Sequence, residues 1–427
     1  MSMIRMQPMR VALQLVSVLG AITFIASCSS EDGGRGTPPP SAGGSGGSAQ
    51  TTGSGGLPGE AGGSSAGSGG AGAGASDASS AGGGDAGADT GSTTAAHCEL
   101  FSSMDRPIEK LTQTGCVDPS NPTKPASYMI AYEVNSPLWS DGADKGRYMR
   151  IPEGKKVHVT NCKLEATTTC KTDPFTGLDG HWNFPIGTVL MKGFGIENTM
   201  LETRLLLKYD DQNWASYSYR WNQEQTEATI NPDARTPNVV FTTPSGSVTW
   251  NYPSRGDCTQ CHTSFAGETL GPETSQLNRI VADNGASVNQ LDKLEKLGIL
   301  DAPLSRPFLS AYVNPTSATG TLTERARSYL HANCGFCHRP DGPEPAIDFR
   351  YGVSLKNMGI CNVLPSKGDL GVTGALLLYP GHPEKSAIPL RMRTLTRARM
   401  PPLASLKIDD AGVAAVEAWI KSVTTCP

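Results

Sequence analysis

The chain has 427 residues, a net charge of −4 from 36 Lys and Arg against 40 Asp and Glu, and 37 % hydrophobic content. A small charge with no basic stripe argues against a nucleic-acid partner, and beyond the N-terminus no apolar run is long enough for a membrane span. Eleven cysteines against seven histidines make sulfur chemistry the first feature to explain.

Arg5 and Arg10 precede an uncharged apolar run from Val11 to Ala26 that ends in small residues. This is the layout of a secretory signal, too short for a comfortable span. Ile25-Ala26-Ser27-Cys28 resembles a bacterial lipobox, which implies removal of residues 1–27 and lipidation of Cys28, with acyl chains holding the protein at a membrane. Ser29 rather than Asp follows Cys28, pointing to the outer membrane. The expected location is that of an exported lipoprotein, in the periplasm or at the cell surface. From Ser29 to Ala96 the chain is nearly all Gly, Ser, Ala, Thr, Asp and Pro, with Leu57 the only large aliphatic. Residues 28–96 therefore read as a lipidated cysteine and a disordered tether, with an r.m.s. span of roughly 45 Å as a flexible coil.

The remainder, His97 to Pro427, is long enough for two or three folded units. Residues 97–255 read as an all-β, sandwich-like domain: "GTVLMKGF" (187–194) as a strand, "TRLLLKYDDQNWASYSYRW" (203–221) as two strands about Asp210–Asn213, and "NVVFTTPSGSVTWNY" (238–252) as a hairpin about Pro244-Ser245-Gly246. Trp182, Trp214 and Trp221 are expected in its core. "SPLWSDGADKGRYMRIP" (136–152), dense in turn formers and charge, reads as a solvated loop.

Six cysteines, Cys98, Cys116, Cys162, Cys170, Cys361 and Cys426, stand apart from any motif, and an even number in an exported protein implies disulfides. They allow 15 pairings. Nearest neighbours are expected to join: Cys98 with Cys116, Cys162 with Cys170, and Cys361 with Cys426, the last pinning the final helix.

After residue 255 the pattern turns mainly helical, with a first segment at 256–315 and a second unit at 316–427. "TERARSYLHANCGFCH" offers Thr323 as an N-cap and sets Ala326, Tyr329 and Leu330 on one face. The last helix, opened by Asp409 or Asp410, carries Val413, Val416, Ile420 and Val423 at three- and four-residue intervals.

Two copies of C-x-x-C-H lie in this half: Cys258, Cys261 and His262 in "CTQCHT", and Cys334, Cys337 and His338 in "HANCGFCHRP". A dithiol oxidoreductase has no need of the histidine and calls for a βαβ context. A structural zinc takes four ligands and would leave at least two of these six groups redundant. Covalent haem c uses every group: thiols at i and i+3 add to the vinyls and the adjoining imidazole ligates iron. Two haem c groups are therefore expected, with His262 and His338 as proximal ligands. For the second, "RARMPPL" presents Met400 before Pro401-Pro402, a stiff segment for a thioether ligand, with Met392 as the alternative. Arg391, Arg393, Arg397 and Arg399 could neutralise propionates or remain solvated. No Met or His lies between Thr263 and Leu322, so the first haem must take its sixth ligand from elsewhere or stay open. His181 is the first candidate, with Met191, Met200, His158, His331 and His382 behind it.

Residues from about 320 to 427, with Cys334-Gly335-Phe336-Cys337-His338 after a helix, a Met-Pro loop, and a C-terminal helix bearing Trp419, resemble a class I cytochrome c domain. That resemblance implies His338 proximal and Met400 distal. The order "SPLWSDGADKGRYMRIP", "FPIGTVLMKGF", "ETRLLLKY", "YSYRWNQEQTEA", "PSRGDCTQCHT", "TLGPETSQLNR" and then this unit is similar to a family of uncharacterised exported di-haem c-type cytochromes. It implies two haems and electron transfer without giving a substrate. The expected function is membrane-tethered electron transfer with a redox partner protein or dehydrogenase. The alternative is a di-haem oxidoreductase, a peroxidase or dehydrogenase subunit, with an open first haem.

Overall fold

Alternating burial organises the β-rich half of the protein. The computed structural model describes residues 96–98, 107–160, 180–232, 237–304, 310–403 and 405–427. The signal segment, Cys28, the tether, and Cys162 with Cys170 lie outside the described residues. Strands β1 (Ile130–Ala131), β2 (Asp144–Arg150), β3 (Val189–Ile196), β4 (Thr199–Lys208), β5 (Trp214–Trp221) and β6 (Ala228–Ile230) form one antiparallel sheet in chain order. Short turns set that order. Glu197 and Asn198 take φ of 51° and 65° in the two-residue loop between β3 and β4, the geometry that matches the twist of a hairpin. Between β4 and β5 the Asp210 carboxylate accepts from the N–H groups of Gln212 and Asn213, each at 2.8 Å.

Because side chains alternate across a strand, Val189, Met191, Leu205, Leu207 and Tyr217 bury on one face, and Met149, Leu190 and Leu206 on the other. The first face packs with Leu111 and Val117, and the hairpin β7 (Val239–Thr243) and β8 (Gly246–Trp250) sets Trp250 against Phe194 and Glu202 at one end of the other face. No second sheet of comparable size stands opposite among the described residues: the others are two-stranded ribbons. The expected sandwich is corrected to one broad sheet with separate covers, because the strands after β6 are spent in a short hairpin. Trp182 and Trp221 are buried, and Trp214 packs half-buried beside Phe184.

The other face is covered by residues from beyond 255. After α1 (Arg255–Cys258) come α2 (Thr274–Leu277), a hairpin of β9 (Ile280–Asp283) and β10 (Ala286–Asn289), and α3 (Gln290–Lys296). Leu277, Leu291, Leu294 and Leu304 pack there with Trp182, Phe184 and Met149. Segment 256–315 thus shares a core with the sheet and has no described core of its own. Its β9–β10 hairpin departs from the expected helical pattern. Asn284 and Gly285, at φ 48° and 82°, make the turn.

The third core belongs to 322–427. Helix α4 (Leu322–Asn333) is opened by Thr321, whose hydroxyl accepts from Glu324 N–H while the Glu324 carboxylate accepts from Thr321 N–H. The cap is therefore Thr321 and not Thr323, because only that spacing closes the reciprocal box. Ala326, Tyr329 and Leu330 of α4 pack with Met392 of α5 (Ala387–Met392) and with Val413, Val416, Trp419 and Ile420 of α6 (Asp410–Ser422). Asp409 caps α6 through Gly412 N–H at 2.9 Å. Disulfides join Cys98 to Cys116 and Cys361 to Cys426. No described helix is long and apolar enough to cross a membrane.

Candidate functional site

The two C-x-x-C-H copies adopt the same local geometry. In the first, the N–H groups of Cys261 and His262 donate to the Cys258 carbonyl at 3.2 and 3.0 Å; in the second, Cys337 and His338 donate to the Cys334 carbonyl at 3.1 and 2.9 Å. One helical turn brings thiol, thiol and imidazole to one side. Each copy follows a capped helix, α1 through the reciprocal Ser254–Asp257 box and α4 through Thr321–Glu324.

The second copy opens onto a cavity of about 710 Å³ lined by Cys334, Cys337, His338, Phe336 and, across from them in the chain, Met400, Pro401 and Pro402. A smaller space of about 80 Å³ continues from His338 and Met400 to Phe349, Ile388 and Met392. His338 and Met400, 62 positions apart, thus line one apolar space, and Met392 lines its continuation. Arg391 and Arg399 are held beside this space by neutral acceptors. Arg391 donates to the carbonyls of Ala398 (3.0 Å) and Lys367 (2.6 Å), Arg399 donates to Pro401 O at 3.1 Å and to Ser405, and Arg393 pairs with Glu417 at 2.7 Å. These contacts brace the Met400 loop and α6, while Arg393, with 46 % of its side chain exposed, and Arg397 lie at the surface.

Residues 136–142 also serve the site. Leu138 and Trp139 line the large cavity. Trp139 N–H donates to Asn333 Oδ1 at 2.7 Å, and Asp141, 4 % exposed, accepts from Leu406 and Lys407 N–H at 2.7 and 2.9 Å. The solvated-loop expectation for 136–152 is thus corrected: its first half ties the end of α4 to the chain beyond Pro402, and its second half is β2. Trp139, Asp141 and Asn333 are the residues that sequence reasoning missed. The turn-forming Ser140-Asp141-Gly142 was the available signal, but an aspartate's backbone partners 265 residues away leave no local trace.

At the first copy His262 is buried, which drops its pKa to about 4 and keeps the imidazole neutral. Its Nδ1 sits against the Glu268 carbonyl. Donation there leaves Nε2 as the free lone pair, the tautomer a metal ligand requires. The sheet register sets Arg147, Lys192 and Arg204 side by side on β2, β3 and β4, on the face opposite Met191, and Lys192 and Arg204 act on His262 electrostatically. Glu202 holds Arg204 in a fork at 2.7 and 2.8 Å, and Glu133 acts on Arg147 electrostatically. Burial pushes the Lys192 ammonium well below its usual range, the sign of a desolvated cation short of a counter-charge.

Of the six expected haem-attachment and proximal residues, Cys261 of the first copy lines the large cavity with Cys334, Cys337 and His338 of the second. Cys337 Sγ lies 3.9 Å from the carbonyl of Gln260, the neighbour of Cys261, and the proximity of the two thiols pushes the pKa of Cys261 up and that of Cys337 down. Burial pushes Cys334 up to about 12, the reverse of what an attacking thiol in a dithiol enzyme needs. Among the described residues no three His, Cys, Asp or Glu side chains converge as a metal cluster; a zinc clamp would require them to regroup.

The candidates for the first haem's sixth ligand separate by their partners. His331 is held at both nitrogens, donating to Glu273 Oε1 at 2.8 Å and accepting Tyr351 N–H at 3.2 Å. His158 and His382 are half exposed on Asp301 and Glu384. Met191 packs in the core on the sheet face away from Lys192, and Met200 approaches Gly193 and Gly195. The structure does not bring these five to His262. His181 differs: no described residue hydrogen-bonds its ring, burial lowers its pKa, and it abuts Gly267, where an added Cβ would lie 2.2 Å from Cε1. It lines a space of about 50 Å³ with Glu273, His331 and Arg339.

Compared with known proteins, the chain matches no family model, no curated sequence and no solved structure.

Proposed function

We propose that the protein is a di-haem c-type cytochrome that passes electrons between redox partners while tethered to a membrane through Cys28. One observation carries the reading: two C-x-x-C-H turns of the same hydrogen-bonded form, one of which shares an apolar cavity with a methionine placed by a stiff Pro-Pro segment. The donor set suits haem c. Four cysteines remain free of disulfides, both imidazoles are kept neutral by burial, and the buried Nδ1 of His338 has no described partner. Haem would supply one-electron iron chemistry; the chain supplies thioether anchors at Cys258, Cys261, Cys334 and Cys337, proximal nitrogens at His262 and His338, and a sulfur at Met400. The class I cytochrome c reading of 316–427 is supported by the shared core of α4 and α6 and by His338 and Met400 lining one space. Arg147, Lys192 and Arg204 are suited to the propionates of the first haem. His181 is its sixth ligand.

The test is a haemochrome spectrum and an intact mass on protein matured with the haem-attachment machinery. Two covalent haems per chain are expected. A colourless protein, or a prosthetic group extracted by acidified organic solvent, refutes the reading.

A further inference from the structure

The free thiols Cys261 and Cys337 lie 76 positions apart in sequence, the first just after α1 and the second just after α4, whose residues pack in the third core. Tertiary packing nevertheless sets them against each other. Cys337 Sγ approaches the carbonyl of Gln260, the neighbour of Cys261, at 3.9 Å, and both thiols line the one cavity of about 710 Å³. Each is the second cysteine of its motif, the one adjoining the proximal histidine. Their partners Cys258 and Cys334 do not share this contact: the first lies at the end of α1 and is absent from that cavity.

Resting on the di-haem reading above, we propose that the thioether-bearing edge of one haem meets that of the other at Cys261 and Cys337, so the two haems form a directly coupled pair. The reasoning is geometric. A thioether sulfur is bonded to the macrocycle's own substituent, so two such sulfurs in contact leave almost no protein between the rings. Haems held at Cys261 and Cys337 would supply one-electron exchange across that contact, one iron going from ferrous to ferric as the other is reduced, with no proton or further reactant. The same proximity has an electrostatic consequence. An electron on one haem disfavours an electron on the other, because two like charges in a low-dielectric interior repel.

The experiment is a potential-poised titration of the full mature chain, followed by optical and electron paramagnetic resonance spectra, with the haem count fixed beforehand by mass. When both haems are ferric, the signal of each is expected to be broadened relative to a chain carrying a single haem (Cys258→Ala with Cys261→Ala). Reduction of one haem is expected to make reduction of the other about tenfold less favourable, about 59 mV for a one-electron couple. A second variant guards against loss of folding: Cys261→Ala alone keeps Cys258 and His262 to hold the first haem, and it should weaken the coupling with both haems present. Two haems by mass that titrate independently, with unbroadened signals in the unaltered chain, overturn the edge contact and leave the di-haem reading standing. No covalent haem at all overturns that reading, and the pair with it.

Discussion

Where α4 packs on α6, Gly412 leaves room for the ring of Tyr329, and replacing it tests the packing that positions the second C-x-x-C-H motif. A Cβ at Gly412 would stand 2.1 Å from Tyr329 Cε2, 2.3 Å from Cζ and 2.6 Å from Oη, far inside normal carbon contact. Tyr329 is 6 % exposed and Gly412 is buried, so neither can swing into solvent without opening the core. Overpacking of this kind costs about 3 kcal/mol at the upper end of its usual range. Alanine in place of glycine returns at most about 1 kcal/mol of helix propensity. Gly412→Ala should therefore destabilise the protein by about 2 kcal/mol, a Tm fall of roughly 8–16 °C for a unit of about 100 residues. Thermal unfolding followed by circular dichroism reads the shift, and Tyr329→Ala in the same chain should make the added methyl nearly neutral, since their coupling is direct. A rise in Tm for Gly412→Ala alone would show propensity winning, and the proposed crossing would be wrong.

Removing the Cys361–Cys426 disulfide opens a loop of 65 residues, which by loop-closure entropy costs about 4 kcal/mol; denaturant titration of Cys361→Ala with Cys426→Ala checks this, and an unchanged midpoint would contradict it. For the chain without haem, His262 titrates near 4 when folded against 6.5 when unfolded, so below pH 6.5 the unfolded state binds the extra proton. Stability present at neutral pH is then lost as pH falls from 6.5 to 4, by about 3 kcal/mol, and His262→Asn should flatten that part of the pH profile. Met400→Ala should abolish the far-red thioether-to-iron band and open the second haem to carbon monoxide, whereas His181→Ala should open only the first. Lys192→Met, by removing a cation beside the first haem, should stabilise the ferric form and lower that haem's potential by roughly 30–60 mV in a spectroelectrochemical titration; a rise would reverse the assigned role.

Much of the architecture was legible because it is governed by near neighbours. The strands on either side of Asp210 and of Ser245, the face formed by Val413, Val416 and Ile420, and the turn common to both C-x-x-C-H copies depend on residues within four positions of one another. The errors are equally physical. Thr323 and Thr321 both suit a cap, and the choice rested on the reach of Glu324. Asn284-Gly285 between two apolar runs is a hairpin signal that the helical trend of its surroundings obscured.

Sequence alone therefore determined which residues can carry chemistry: spacing along a chain is covalent, and a cysteine, a cysteine and a histidine within one turn face the same way wherever the segment lies. Only tertiary structure decided what they meet. It brought Cys261 and Cys337 to one cavity with Trp139 and Met400, tied Asp141 to Leu406, lined up Arg147, Lys192 and Arg204 by strand register, and engaged both nitrogens of His331. Such contacts join residues tens to hundreds of positions apart, and they exist only because burying three apolar cores together leaves the chain no other way to close.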